Sequence, residues 1–198
     1  MLNRGKDSIF LVPEISLTPQ MVYHFKSRFG DEVAVLHSRL SEGEKYDEYR
    51  KIVEGKVHIV VGARSAVFAP FKNLGAIIID EEHDASYKSE SNPKYDAKQV
   101  ATYMAKQNNC PLLLGSATPD INTYYKANEL KEIELLKLTK RANNSELPKV
   151  EIIDLKQELA NGNRSMLSFD LYQAIEQNLK EKLQTILFLN RRGYSTFI

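Results

Sequence analysis

Five short apolar runs, at residues 8–12, 33–36, 57–61, 76–80 and 111–114, punctuate the first part of the chain and are rich in valine, isoleucine and leucine. Runs that are apolar on both faces, without polar alternation, predict strands buried between layers, as in a parallel sheet. Helix-start chemistry lies between them. Thr18 precedes Pro19, an N-cap followed by proline at the first helical position. Ser41 has Glu44 three residues on, the spacing of a capping box, and Asp96 heads an alternation that ends near Lys106. Thr118 before Pro119 repeats the first pattern and predicts another helix start at the proline. Strands alternating with helices predict an α/β fold, a doubly wound parallel sheet whose chemistry sits at the carboxyl ends of its strands.

The pattern changes after Tyr125. Residues 132–138 and 149–154 read as strands on either side of a polar stretch, 140–148, taken as a linker. A polar turn at 160–165 leads into a helix with Leu171, Ile175 and Leu179 on one face, then into the apolar run 185–189. The expected organisation is a first lobe over 1–139, a linker over 140–148 and the opening of a second α/β lobe over 149–198. No internal repeat or low-complexity segment interrupts this order.

Composition narrows the picture. A length of 198 residues suits one domain and part of a second. With 42% hydrophobic and 27% charged residues the chain is neither disordered nor membrane-like. No apolar run approaches the ~18 residues that cross a bilayer, and Met1-Leu2-Asn3-Arg4-Gly5 lacks the apolar core of a signal peptide, so the cytoplasm is expected. A formal net charge of +1 means that any contact with nucleic acid is local rather than global. The single cysteine, Cys110, excludes an internal disulfide and a cysteine-built zinc site within these residues. Beside Pro111 and Leu112 it reads as a buried, inert thiol.

Two clusters carry chemistry. Asp80-Glu81-Glu82-His83 follows the apolar Gly75-Ala76-Ile77-Ile78-Ile79, and carboxylates at the end of a buried strand can hold Mg²⁺ and orient a water for attack on a γ-phosphate. Gly115-Ser116-Ala117-Thr118-Pro119 follows the next strand, a small-residue turn able to approach those acids closely. Taken singly, acids at a strand end serve solubility and Thr118 serves as a helix cap. Together they resemble the DExH box and the Ser-Ala-Thr motif of superfamily 2 helicases. Further segments are similar to the replication-restart helicases, the primosomal protein N′ family: Leu11-Val12-Pro13-Glu14-Ile15-Ser16-Leu17-Thr18-Pro19-Gln20-Met21, Leu36-His37-Ser38, Val61-Gly62-Ala63-Arg64-Ser65-Ala66-Val67-Phe68-Ala69-Pro70 and Leu187-Phe188-Leu189-Asn190-Arg191-Arg192-Gly193-Tyr194. The resemblance runs nearly end to end.

The resemblance implies RecA-like lobes and an ATP-dependent 3′→5′ DNA helicase that uses ATP and Mg²⁺ in replication restart, with single-stranded and forked DNA, primosome proteins and single-strand-binding protein as partners. Asp80 would hold Mg²⁺, Glu81 would position or deprotonate water, and Glu82 and His83 would link hydrolysis to Ser116, Ala117 and Thr118. DNA backbone contacts would fall to Pro13, Ser16, Thr18, His37, Ser38, Gly62, Arg64 and Ser65. On composition alone Arg64 is equally a surface salt bridge and His37 a satisfied semi-buried imidazole. The polar stretch 84–96 resembles the family's aromatic-rich loop that couples DNA binding to hydrolysis, and Tyr87, Lys88, Lys94 and Tyr95 would stack on bases or meet phosphates. Anchoring the loop against the core is the alternative role of the same tyrosines. The family usually has tryptophan, arginine and histidine where this chain has Pro93, Lys94 and Asp96, and there is no tryptophan at all. Arg191 and Arg192 bridge lobes, touch phosphate or simply end a strand.

No segment provides Gly-x-x-x-x-Gly-Lys-Ser/Thr, since Gly5-Lys6 and Gly55-Lys56 lack the preceding glycine and the following hydroxyl. The expectation is a fragment without its phosphate loop, arginine finger or the family's zinc-binding insertion, inactive by itself, with an exposed sheet edge that favours self-association. Two rivals remain: another superfamily 2 translocase or NTPase, and a non-catalytic module that docks DNA or protein.

Overall fold

The computed structural model describes residues 4–140 and 148–188. The chain divides into two compact units, Met1–Lys137 and Leu138–Ile198.

The first unit contains β1 (Asp7–Leu11), α1 (Pro19–Phe29), β2 (Val33–Leu36), α2 (Glu42–Val53), β3 (Ile59–Gly62), β4 (Leu74–Ile79), α3 (Ala97–Gln107), β5 (Leu112–Leu114) and α4 (Ile121–Asn128). The five strands form one sheet in the order β2-β3-β1-β4-β5, and every neighbouring pair is parallel. Each apolar run became a strand, displaced by two residues at most. The α/β expectation therefore holds: parallel neighbours require crossovers, and the amphipathic segments supply them as helices.

Because side chains alternate across a strand, the sheet feeds two cores. Ile9, Leu11, Val60, Ile77 and Ile79 form one with Ile52 of α2 and Ala97, Ala101 and Ala105 of α3. Alanines at every fourth position give α3 a flat face that lies close on the sheet. Val12, Val33, Val35, Ile59 and Val61 form the other with Phe10 and with Met21, Val22, Phe25 and Phe29 of the α1 region. Helices thus cover both faces, which is the doubly wound arrangement. In register with Phe10 lie Ile78 and then Leu113, and Leu113 is 48% exposed. Cover on that face therefore thins toward β5.

The helix starts follow local chemistry. Thr18 caps α1 through Met21 N at 3.3 Å, with Pro19 in the first turn. Ser41 and Glu44 close a complete capping box on α2. Asp96 caps α3 through Lys98 N at 2.8 Å. The expected start at Pro119 is corrected: Asp120 caps α4 through Asn122 N at 2.9 Å and the helix begins at Ile121. Edge strand β2 has one exposed-side amide satisfied by a side chain, since Val35 N donates to Glu48 of α2 at 3.1 Å.

Three strand-like segments form no strand. Residues 132–138 and 149–154 form no strand, and neither do 185–188 of the run at 185–189. Leu138, Ile152 and Ile186 are 99%, 95% and 94% exposed. A strand exists only as part of a ladder, and these segments have none among the described residues. Among the described residues, the second unit contains α5 (Leu155–Ala160) and α6 (Phe169–Lys180). Asn163 stitches it locally, bonding Glu158 at 2.5 Å and the Leu167 carbonyl at 3.1 Å. The apolar face of α6 is largely open, with Phe169 58% and Leu179 70% exposed.

Candidate active site and nucleic-acid interface

All the sequence-predicted residues of the first unit lie on segments that leave the carboxyl ends of β1 to β5. Parallel strands make this inevitable, because every strand ends on the same side. Arg191 and Arg192 lie outside the described residues.

At the end of β4 the chain turns sharply. Asp80 N donates to the Leu11 carbonyl at 2.9 Å, Glu82 N to the Gly115 carbonyl at 3.0 Å, and Asp84 N to the Glu81 carbonyl at 2.8 Å. Glu81 takes φ of 45°, in the left-handed region that a non-glycine residue enters at a cost of about 1–2 kcal/mol. Such strain persists only where surrounding bonds over-determine it. The result is that consecutive acids face different ways. Asp80 and Glu81 are half-buried, while Glu82 is 1% exposed. Glu82 receives Lys98 Nζ at 2.9 Å, Thr123 Oγ1 at 3.0 Å and Asp120 N at 2.6 Å. Its carboxylate faces the protein interior, on the side of the segment that carries Ser116 and Thr118.

His83 leaves the turn toward β5. Its Nδ1 lies 2.8 Å from Ser116 Oγ and 3.5 Å from a Glu81 carboxylate oxygen. Ser116 Oγ in turn accepts from Thr118 N at 3.0 Å. The acid turn and the small-residue turn thus meet through one histidine–serine contact, and Ala117 and Thr118 are exposed beside it.

Of the two places open to Tyr87, the loop surface and the core, it takes the core. It is 1% exposed and its hydroxyl donates to the Asp80 carbonyl at 2.6 Å. Burial, then the carboxylates of Asp80, Asp84 and Glu81, push its phenol far above the usual range. A ring in this position anchors the loop to the core and has no free face for a base. Hydrogen bonds from Ser86 hold the Asp84 carboxyl below the usual range. Tyr95 is half-buried, edge-on to Phe68 at 5.0 Å, whereas Lys88 and Lys94 are exposed. Ser89 N donates to the Tyr95 carbonyl at 2.7 Å, closing the loop at its neck.

Arg64 makes no salt bridge among the described residues. Its Nη1 donates to the carbonyls of Ser86 at 3.1 Å and Lys88 at 2.5 Å, and its guanidinium lies 5.6 Å from the Tyr95 ring centre. It clamps the tyrosine loop onto the segment after β3. Gly62 also has a packing reason: a Cβ there would stand 2.3 Å from the Leu36 carbonyl oxygen and 2.5 Å from Ala66 Cβ. Ser38 donates to Glu14, tying together the segments after β1 and β2. Thr18 spends its hydroxyl on α1, Pro13 is buried, and Ser16 and His37 are half-buried, with His37 Nδ1 accepting from Arg39 N at 3.2 Å.

Two clefts mark this surface. One, of about 160 Å³, is lined by Glu14, Ser38, Ala63, Arg64, Ser65 and Ser86. The other, of about 370 Å³, is lined by Glu14, Leu17, Pro19, Val22, His37 and Arg39. Sequence reasoning missed Glu14, Arg39 and Ser86 here, and Lys98 and Thr123 around Glu82. None carries a local signal, because each joins the site through a contact between distant segments.

A parallel sheet wound by helices on both faces, with an acid turn joined to a small-residue turn at its carboxyl edge, is the RecA-like architecture of helicase domains. Residues 1–127 match the DEAD/DEAH box helicase family, and the chain belongs to it. Along its whole length it is similar to the replication restart protein PriA of Bacillus subtilis, 56% identical over 198 residues, which covers 100% of this chain and 24% of that protein. The replication restart protein PriA of Synechocystis sp. is 46% identical over 201 residues, with the same coverage of 100% and 24%. The chain thus spans about a quarter of the length of these curated relatives. Among solved structures, the C-terminal domain of the DEAD-box protein Dbp5 aligns with a TM-score of 0.42 at 16% identity, over 64% of this chain and 69% of that one. No described helix is long and apolar enough to cross a membrane.

Proposed function

We propose that this chain is part of the motor of an ATP-dependent DNA helicase acting in replication restart, and that the acid turn serves ATP hydrolysis. The observation that carries the reading is the 2.8 Å contact of His83 with Ser116, which joins the acid turn to the small-residue turn. Full-length similarity to proteins named replication restart protein PriA supports the biological setting. Movement from 3′ to 5′, forked DNA as substrate, primosome proteins and single-strand-binding protein as partners, and zinc in a region beyond these residues follow the family resemblance.

Mg²⁺ in nucleotide sites takes one or two carboxylates and completes its shell with water and phosphate oxygens. The half-buried Asp80 and Glu81 fit that donor set, and no group of three or more His, Cys, Asp or Glu is arranged for a metal among the described residues. Asp80 would hold the ion, which supplies charge stabilisation to the phosphates when bound. Glu81, turned outward by its backbone, orients and deprotonates the attacking water. His83 passes the state of that site to Ser116. DNA runs across the carboxyl ends of β1 to β3, where Ser38, Ser65 and backbone amides meet phosphates and Lys88 and Lys94 approach from the loop. The 198 residues contain no Gly-x-x-x-x-Gly-Lys-Ser/Thr segment, so by themselves they do not turn over ATP.

The test is Glu81→Gln in the protein as its gene encodes it. ATP hydrolysis and strand separation fall by about two to three orders of magnitude while single-stranded DNA binding stays intact. Undiminished hydrolysis would sink the assignment of the acid turn.

A further inference from the structure

Glu82 sits in the middle of the acid tetrad yet has no route to nucleotide or water. Its side chain is 1% exposed, and both carboxylate oxygens are engaged. One oxygen receives the Asp120 amide at 2.6 Å, ahead of α4. The other receives Lys98 Nζ from α3 at 2.9 Å and Thr123 Oγ1 from α4 at 3.0 Å. The backbone of the same residue grips the end of β5, Glu82 N donating to the Gly115 carbonyl at 3.0 Å. One residue therefore ties four places: the acid turn, the strand end before Ser116, the first turn of α4 with its cap, and the flank of α3.

We propose that Glu82 is a positioning residue, and that with Lys98 and Thr123 it fixes the acid turn against the segment 115–123, setting the distance across which His83 meets Ser116. The proposal rests on the reading of the acid turn as a hydrolytic site. The physical reason for a carboxylate here is that it accepts from three donors at once, from three directions, where a neutral side chain of similar size accepts fewer. Its charge is balanced by Lys98, whose side chain is 21% exposed and is the only cation paired with it among the described residues. Removing that ammonium leaves an uncompensated buried carboxylate, which the turn relieves by repacking. His83 and Ser116 then part, while Asp80 and the nucleotide-facing side of the turn remain.

The experiment compares Lys98→Met, Thr123→Val and the double variant Glu82→Gln/Lys98→Met in the protein as its gene encodes it. DNA-stimulated ATP hydrolysis and backbone amide exchange over residues 115–123 are measured together. Lys98→Met lowers kcat about tenfold with KM for ATP unchanged, the signature of lost positioning rather than lost binding. Amide exchange over 120–123 accelerates in the same variant. The double variant recovers both, because the glutamine oxygen still accepts from the Asp120 amide and no buried charge is left alone. Thr123→Val, which removes one bond of three and leaves the fold in place, lowers kcat about twofold to threefold. The proposal is overturned if the double variant stays as slow as Lys98→Met with its exchange restored, since that marks Glu82 as a group acting in the chemistry. It is equally overturned if none of the variants changes exchange over 115–123. Should Glu81→Gln hydrolyse ATP normally, the hydrolytic reading fails, and the exchange data still decide whether Glu82 makes the tie.

Discussion

Tyr87 illustrates what a single side chain reveals only when its surroundings are known. The sequence places it in a polar loop beside Lys88, which suits both a base-stacking ring and a loop anchor. Burial and the bond to the Asp80 carbonyl decide for the anchor. Tyr87→Phe removes that bond alone and lowers stability by about 1 kcal/mol, whereas Tyr87→Ala leaves a core cavity and costs about 3–5 kcal/mol, both read from denaturant unfolding. Gly62 makes a second case. Gly62→Ala forces its Cβ against the Leu36 carbonyl and lowers the unfolding midpoint, by an amount corresponding to roughly 1–3 kcal/mol of overpacking. Cys110, expected to be buried, is only half-buried, and what burial it has pushes its pKa up. The folded state therefore holds the thiol proton more tightly than the unfolded chain. That contribution to stability is complete below the unfolded thiol's pKa of about 8.5 and is lost as pH rises through the folded value. Iodoacetamide will accordingly modify Cys110 at a higher pH in the folded protein than in denaturant; coincident pH profiles would contradict this.

At the scale of elements, the sequence was most legible where a short-range rule operates. The apolar runs became β1 to β5, and the caps at Thr18, Ser41 and Asp96 sit where their spacing placed them. Ser41→Ala removes the side-chain half of the capping box, leaving the backbone amide of residue 41 on Glu44, and lowers stability by about 0.5–2 kcal/mol, with amide exchange in the first turn of α2 rising ahead of the rest of the helix. The same rule misplaced α4, because Asp120 offers a better acceptor than Thr118 and wins the cap. Residues 132–138, 149–154 and 185–188 carry strand-like composition without a strand. β-structure depends on a neighbouring ladder, which composition does not supply, whereas a helix closes its own hydrogen bonds. Glu48 belongs to the same lesson. It reads as an exposed helix acid, yet its carboxylate accepts the Val35 amide at the edge of the sheet.

For the whole molecule, the proposed DNA binding would, with a nearly neutral charge, rest on a few groups at one edge of the sheet. Lys88→Ala/Lys94→Ala weakens single-stranded DNA binding and reduces the slope of affinity against salt by about 0.7 per lysine that meets a phosphate, measured by titration at several ionic strengths. An unchanged slope would remove the lysines from the interface. Order along the first unit, the positions of β1 to β5 and the clustering of chemistry at strand ends were written in the sequence, because periodicity and caps act over a few residues. Family membership was legible too, since the acid tetrad and the small-residue turn are contiguous strings. What tertiary structure alone decided was the use of each side chain: Glu82 bonded to Lys98, Thr123 and the Asp120 amide, Tyr87 beneath Asp80, and Arg64 on the carbonyls of the tyrosine loop. The physical reason is that burial and hydrogen bonding depend on groups tens of residues away, and a charged or aromatic residue takes its role from whichever partner the fold brings within reach.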